Sequence, residues 1–199
     1  MTQRFLITGL PRSRTAWMAA FTSCGPAFCY HEPSAMMGEI EDLEDVYARP
    51  GGYQHVGASD HGLGFWITEI LARFKPRTLV IMRDQQDVEQ SMHELGMPAT
   101  NFCELLTERL LAVRQHPLVQ YVPFEALDDM ATMRKAWFHL LPGVPFDEGR
   151  YREFSKFHIE LTQANFREIV RRLTKTPHPL YSKIVPFLHL KDAPYVLNS

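Results

Sequence analysis

Residues 5–17, FLITGLPRSRTAW, decide the fold. Phe5, Leu6, Ile7 and Thr8 form a run of aromatic, aliphatic and β-branched side chains that stops at Gly9, as a buried strand does. Pro11, Arg12, Ser13 and Arg14 follow, and from Thr15 through Trp17, Met18, Ala19 and Ala20 the pattern turns helical. A strand, a tight loop and a helix N-terminus in succession bind anions. The first-turn N–H groups have no intrahelical partner and lie at the positive end of the helix dipole. A purely structural turn asks for one capping hydroxyl, whereas Pro11 to Thr15 supply two cations and two hydroxyls.

Laid on the phosphate-binding pattern G-x-x-x-x-G-K-[ST], Gly9 takes the first glycine. Arg14 stands at the second glycine, Thr15 at the lysine and Ala16 at the metal-binding hydroxyl. The loop keeps the cradle and loses the groups that serve a metal–triphosphate complex. It is therefore expected to hold a phosphorylated nucleotide that reacts without metal.

Working outward, strands are predicted over 4–8, 27–30, 54–58, 78–82 and 118–122. Helical patterns lie between them over 15–23, 37–47, 63–74, 86–94 and 102–115. This alternation predicts an α/β protein with a parallel β-sheet flanked by helices on both faces. Ligands of such sheets bind beyond the carboxyl ends of the strands. The polar clusters fall there: His31-Glu32-Pro33, Ser59-Asp60-His61-Gly62, Arg83-Asp84 and Pro123-Phe124-Glu125. After Glu125 the chain reads mostly helical, and from Thr176 it carries Pro177, Pro179, Pro186 and Pro194. The expectation is one α/β domain over 1–199, with a core over about 4–160 and a helical, Pro-rich extension over about 161–199.

A net charge of −2 argues against general nucleic-acid binding. Cys24, Cys29 and Cys103 are odd in number and have no metal-ligand spacing, which fits a reducing, cytoplasmic setting. No apolar stretch reaches membrane-spanning length, and the run after Arg4 is too short for a signal peptide. No membrane partner is expected. The basic cluster of Arg167, Arg171, Arg172 and Lys175 reads as the solvated face of an amphipathic helix.

The second motif runs from Arg83 to Ser91. Arg83 closes an apolar strand, and Ser91 lies two turns into the helix that follows. Asp84 reads either as the cap of that helix or as a magnesium ligand, and the loop's missing lysine and hydroxyl weigh against the second.

Together these segments resemble the sulfotransferase family, which uses 3′-phosphoadenosine 5′-phosphosulfate. Leu10 to Trp17 is similar to the family's 5′-phosphosulfate loop. Arg83 to Ser91 is similar to its 3′-phosphate motif, with serine eight residues after arginine. Phe124-Glu125-Ala126-Leu127 resembles a Tyr-Glu-Asp-Leu segment after a later strand. The resemblance implies a P-loop NTPase-like fold and transfer of a sulfo group to a hydroxyl or amine acceptor, with no metal. It implies that Pro11, Arg12, Ser13, Arg14, Thr15 and Ala16 hold the 5′-phosphosulfate and that Trp17 flanks the adenine. Arg83 and Ser91 would bind the 3′-phosphate, with Phe124 beside the nucleotide. Arg12 would stabilise the leaving oxygen. Two departures stand out: Arg14 replaces a glycine, and Ala16 replaces a hydroxyl. Arg14 is expected either to shift the loop or to contact the anion itself.

Sulfuryl transfer needs a base, and histidine suits the task because its ordinary pKa is near neutral. His61 lies where some cytosolic members of the family keep a catalytic histidine. Glu32, in Tyr30-His31-Glu32-Pro33, resembles the glutamate of carbohydrate sulfotransferases. His61 leads, Glu32 is its rival or its orienting partner, and Asp60 and His31 follow. The acceptor is expected to be a small molecule or a carbohydrate, met by loops over 36–52 and 95–101 and by the Pro-rich tail. Two alternatives remain: a nucleotide or small-molecule kinase of the same fold, and a non-catalytic nucleotide-binding protein.

Overall fold

The computed structural model describes residues 2–96 and 101–156. The Pro-rich extension, the basic cluster at 167–175 and part of the 95–101 loop lie outside the described residues. In chain order the elements begin with β1 (Gln3–Gly9), α1 (Thr15–Thr22) and β2 (Ala27–His31). Next come α2 (Leu43–Ala48), β3 (His55–Ser59), α3 (Ile67–Phe74), β4 (Arg77–Met82) and α4 (Gln85–Glu94). They are followed by α5 (Phe102–Ala112), β5 (Val119–Pro123), α6 (Met130–Leu140) and α7 (Glu148–Phe154). Short 3-10 segments cover Pro33–Met36, Ile40–Asp42, Gly62–Trp66 and Phe124–Asp128.

The five strands form one parallel sheet in the order β2-β3-β1-β4-β5. The chain leaves β1 toward one side for β2 and β3, then crosses to the other side for β4 and β5. Strand order therefore reverses at β1, which is where open α/β sheets form their ligand crevice. Alternate side chains on each strand face opposite ways. Phe5 and Ile7 enter one core with Trp17, Phe21, Trp137 and Tyr151 from α1, α6 and α7. Leu6 enters the other with residues of α2 and α3, and α4 and α5 extend that layer through Val88, Met92, Leu106 and Leu110. Both faces are covered, so the strands read as continuous apolar runs.

The pattern over 37–47 did not become a single helix. A 3-10 turn at Ile40–Asp42 precedes α2, because the Glu39 and Asp42 side chains cap it reciprocally. Asp42 also accepts from the Gly38 N–H at 2.7 Å and the Glu39 N–H at 3.1 Å. The stretch over 63–74 likewise opens as the 3-10 segment Gly62–Trp66 before α3 begins.

Two glycines are set by close packing. A Cβ on Gly9 would lie 2.4 Å from the Ile81 carbonyl oxygen, its register partner on β4. A Cβ on Gly57 would lie 2.1 Å from the ring of Phe5, which is fully buried. Gly57→Ala is expected to destabilise by about 1–3 kcal/mol through overpacking, read as a lower denaturation midpoint.

His139 on α6 pins the β4–β5 edge. Its Nε2 lies 3.0 Å from the Thr78 carbonyl and 3.1 Å from that of Leu118, so this nitrogen carries the proton and donates. Burial, together with the Arg77 charge, lowers the pKa of His139, while the two carbonyls oppose the shift. Burial and Arg77 lower His55 as well. Both groups bind protons more readily in the unfolded chain, so stability rises with pH through this range. The contribution is complete above about pH 6.5 and is lost as pH falls below it. Thermal unfolding should show that loss between pH 7 and pH 5, and His139→Gln should reduce it, leaving the share of His55.

Candidate functional site

The five strands are parallel, so all of their carboxyl ends lie along one edge of the sheet. The loop after β1 lies next to the end of β4 because Gly9 and Ile81 pack so closely. Arg12 and Arg14 both take left-handed backbone, at φ 65° and 59°. For a residue with a Cβ this costs roughly 1–2 kcal/mol. Left-handed residues set along a turn aim successive N–H groups into one concavity. Among the described residues no acceptor meets the N–H groups of Ser13 to Trp17. They are the free donors of the first turn of α1.

The side chains of both motifs converge on this loop. Arg83 donates to the Arg12 carbonyl at 2.7 Å, and Arg12 donates through Nε to the Ser91 hydroxyl at 3.1 Å. Both acceptors are neutral, so these hydrogen bonds themselves bring no negative charge to the two cations. Burial and then the charge of Arg83 lower the pKa of Arg12, and Glu94 offsets part of that. A guanidinium stays charged throughout. Phe124, at the end of β5, carries both neighbouring cations on its ring: Arg83 at 4.4 Å and Arg14 at 4.9 Å from the centroid. The structure thus brings Arg12, Arg83, Ser91 and Phe124 into one cluster across 113 positions of sequence, from 12 to 124 inclusive. Within it the buried Ser13 hydroxyl and the buried Arg83 Nε have no hydrogen-bond partner among the described residues.

Three candidate residues already have partners within the fold. Arg14 takes left-handed backbone, a conformation that glycine holds freely. Its guanidinium is engaged by Asp128, forking the carboxylate at 2.6 and 3.4 Å. Trp17 is a core residue, 6% exposed, rather than an open adenine wall. It stacks on Phe21 with centroids 5.0 Å apart, and its indole N–H donates to the Phe154 carbonyl at 2.8 Å. Asp84 is occupied as the N-cap of α4, accepting from the Gln86 N–H at 2.8 Å and the Asp87 N–H at 3.3 Å.

The remaining candidates end β2 and β3. Asp60 is fully buried and accepts from the Ser34 N–H at 2.9 Å and the Gly62 N–H at 2.7 Å, so it knits two loops together. Glu32 has left-handed backbone at φ 50°. Its Oε1 lies 3.8 Å from His61 Nδ1 and 3.7 Å from His31 Nε2. His61 is partly buried, and its ring centroid is 6.0 Å from that of Phe102. His61 and Glu32 therefore face each other on the β3 side of the loop, with Arg83 on the β4 side. Pro11 and Thr15 are buried in the loop, and Ala16 is half-buried. Thr15 is fixed through its carbonyl, which accepts from the Ser59 hydroxyl at 2.8 Å.

Asp128 went unnoticed in the sequence. It lies 114 positions from Arg14, and nothing local distinguishes it from other surface carboxylates.

No protein-family model matches the chain, and no curated protein matches it. Forty chains of solved structures do match. One is the crystal structure of the mouse sulfotransferase SULT7A1 complexed with PAP, at a TM-score of 0.52 and 14% identity. The match covers 77% of this chain and spans 63% of the length of that one. At this identity the likeness establishes the fold alone, an α/β architecture with a parallel sheet flanked by helices like that of the SULT7A1 structure. No helix among the described residues is long and apolar enough to cross a membrane.

Trp17→Phe should lower stability by about 1–3 kcal/mol, because it strands the Phe154 carbonyl. Nucleotide affinity measured on the same protein should change little. An adenine-stacking role would give the reverse pattern.

Proposed function

We propose that this protein is a sulfotransferase that moves a sulfo group from 3′-phosphoadenosine 5′-phosphosulfate to a hydroxyl or amine acceptor. The observation that carries the reading is the meeting of Arg12, Arg83 and Ser91 beside the unpaired N–H groups of the β1–α1 loop. A nucleotide phosphorylated at two places has the charge this cluster lacks. The unpartnered Ser13 hydroxyl and Arg83 Nε fit an anionic ligand. The SULT7A1 structure holding PAP supports the same choice of ligand.

The donor supplies the sulfo group, and the chain's own residues do the rest. Backbone N–H groups from Ser13 to Ala16 hold the 5′ end as preorganised dipoles. Arg83 and Ser91 hold the 3′-phosphate, where a guanidinium fork makes the strongest contact. Arg12 touches Ser91 and so joins the two halves, and it stabilises charge on the departing oxygen. His61 takes the acceptor proton. Its Nδ1 lies 3.8 Å from the Glu32 carboxylate, which leaves Nε2 for the acceptor. The acceptor is a small molecule or a carbohydrate, and neither nucleic acid nor a membrane takes part.

Calorimetry tests the reading. The product nucleotide 3′-phosphoadenosine 5′-phosphate should bind without metal and more tightly than ATP with magnesium; the opposite order would indicate a kinase. Arg83→Ala should weaken that binding about tenfold or more, since a charge-assisted contact contributes on the order of 1.5–3 kcal/mol. Arg12→Ala should weaken binding less and slow turnover more, because its contact grows in the transition state. Tight binding with no turnover on any acceptor would leave a nucleotide-binding protein.

A further inference from the structure

Arg14 poses a physical problem. It is the N-cap residue of α1, it holds left-handed backbone at φ 59°, and its side chain makes no capping hydrogen bond. Its carbonyl accepts the Met18 N–H at 2.9 Å, the first bond of the helix. Relaxing Arg14 into right-handed or extended backbone would leave that bond in place, as in an ordinary N-cap, but would swing the chain before it and turn the Ser13 and Arg14 N–H groups away from those of the first helical turn. Glycine would hold this conformation freely, whereas arginine needs an external restraint.

The restraint is visible at the other end of the side chain. Both terminal nitrogens of Arg14 fork Asp128, and the guanidinium lies against Phe124, which also carries Arg83. Asp128 itself stands on a fixed support. It closes the 3-10 segment Phe124–Asp128, whose Leu127 is 1% exposed and has its carbonyl held by the Tyr151 hydroxyl at 2.9 Å. The Asp128 carboxylate is 64% exposed, so the pair adds little to global stability. Its effect is local and directional.

We infer that Asp128 is a positioning residue of the donor site: it latches Arg14 in left-handed backbone and so keeps the anion-binding loop in its competent shape. The inference rests on the donor reading given above. In this chain a long-range ion pair replaces what glycine supplies by lacking a side chain. Removing the latch lowers the fraction of molecules whose loop is competent, and apparent affinity falls by that fraction.

The test is a double-mutant cycle on the full chain, using 3′-phosphoadenosine 5′-phosphate as the probe in calorimetry and thermal unfolding to confirm folding. Asp128→Ala should weaken binding about three- to tenfold with the unfolding midpoint almost unmoved. Asp128→Asn, which keeps one acceptor oxygen, should fall between it and the native protein. The decisive comparison is made in the Arg14→Gly background. There Asp128→Ala should change affinity by less than about 1.5-fold, because glycine needs no latch and the two sites are coupled. Three results overturn the proposal while leaving the donor reading intact. They are unchanged affinity in Asp128→Ala, tighter binding in it (which would mean that Asp128 sequesters Arg14 from the ligand), or an undiminished Asp128 effect when residue 14 is glycine. Failure of the native protein to bind the probe overturns the donor reading and this inference with it.

Discussion

Two guanidinium groups held at one loop are the constraint on which the rest of the structure depends. Arg83 reaches the backbone of Arg12, and Arg12 reaches the side chain of Ser91. Like charges at this spacing repel, and their neutral partners do not cancel them. The arrangement persists because each cation is tethered by geometry: Arg83 by a carbonyl and an aromatic ring, Arg12 by left-handed backbone and a hydroxyl. What the cluster offers in return is a concentrated positive field beside oriented N–H donors, the environment in which phosphate and sulfate oxygens are best held.

The scaffold serves that cluster through close contact between strands. Where β1 meets β4, Gly9 lets the Ile81 carbonyl come near enough that the loop and Arg83 share a crevice. Where β1 meets β3, Gly57 leaves room for the Phe5 ring, which anchors the core beneath α1. Asp60 ties the β3 end to the segment after β2, and this sets Glu32 opposite His61. Core packing thus reaches the chemistry in few steps: two small residues set strand spacing, strand spacing sets loop proximity, and loop proximity sets charge density.

The sheet was legible in the sequence because each strand is a short apolar run ending at a polar cluster, and a parallel, two-sided sheet produces that pattern. The 78–82 prediction met β4 (Arg77–Met82) within a residue at its start, and the Arg83 and Ser91 motif fell where its spacing placed it. Legibility failed where side chains act against local expectation. Trp17 follows the loop immediately, as a nucleotide-flanking residue would, yet Phe21, Tyr151 and Phe154 enclose it. The stretch over 37–47 has helical periodicity, yet the Glu39–Asp42 capping pair restarts the chain within it. Arg14 in place of glycine read as damage to the loop. Its compensation is Asp128, a contact between distant segments that no local pattern encodes.

On the proposed reading, Arg12 and Arg83 form one site for a doubly phosphorylated nucleotide at the β1–α1 loop. A crystal structure of the protein grown with 3′-phosphoadenosine 5′-phosphate tests it most directly. The expected result is the 5′-phosphate against the N–H groups of Ser13 to Ala16 and the 3′-phosphate within hydrogen-bond reach of Arg83 and Ser91, with His61 and Glu32 facing the open side of the 5′ end. A nucleotide bound elsewhere, or bound at the loop with its 3′-phosphate free in solvent and no contact to either arginine, would contradict it.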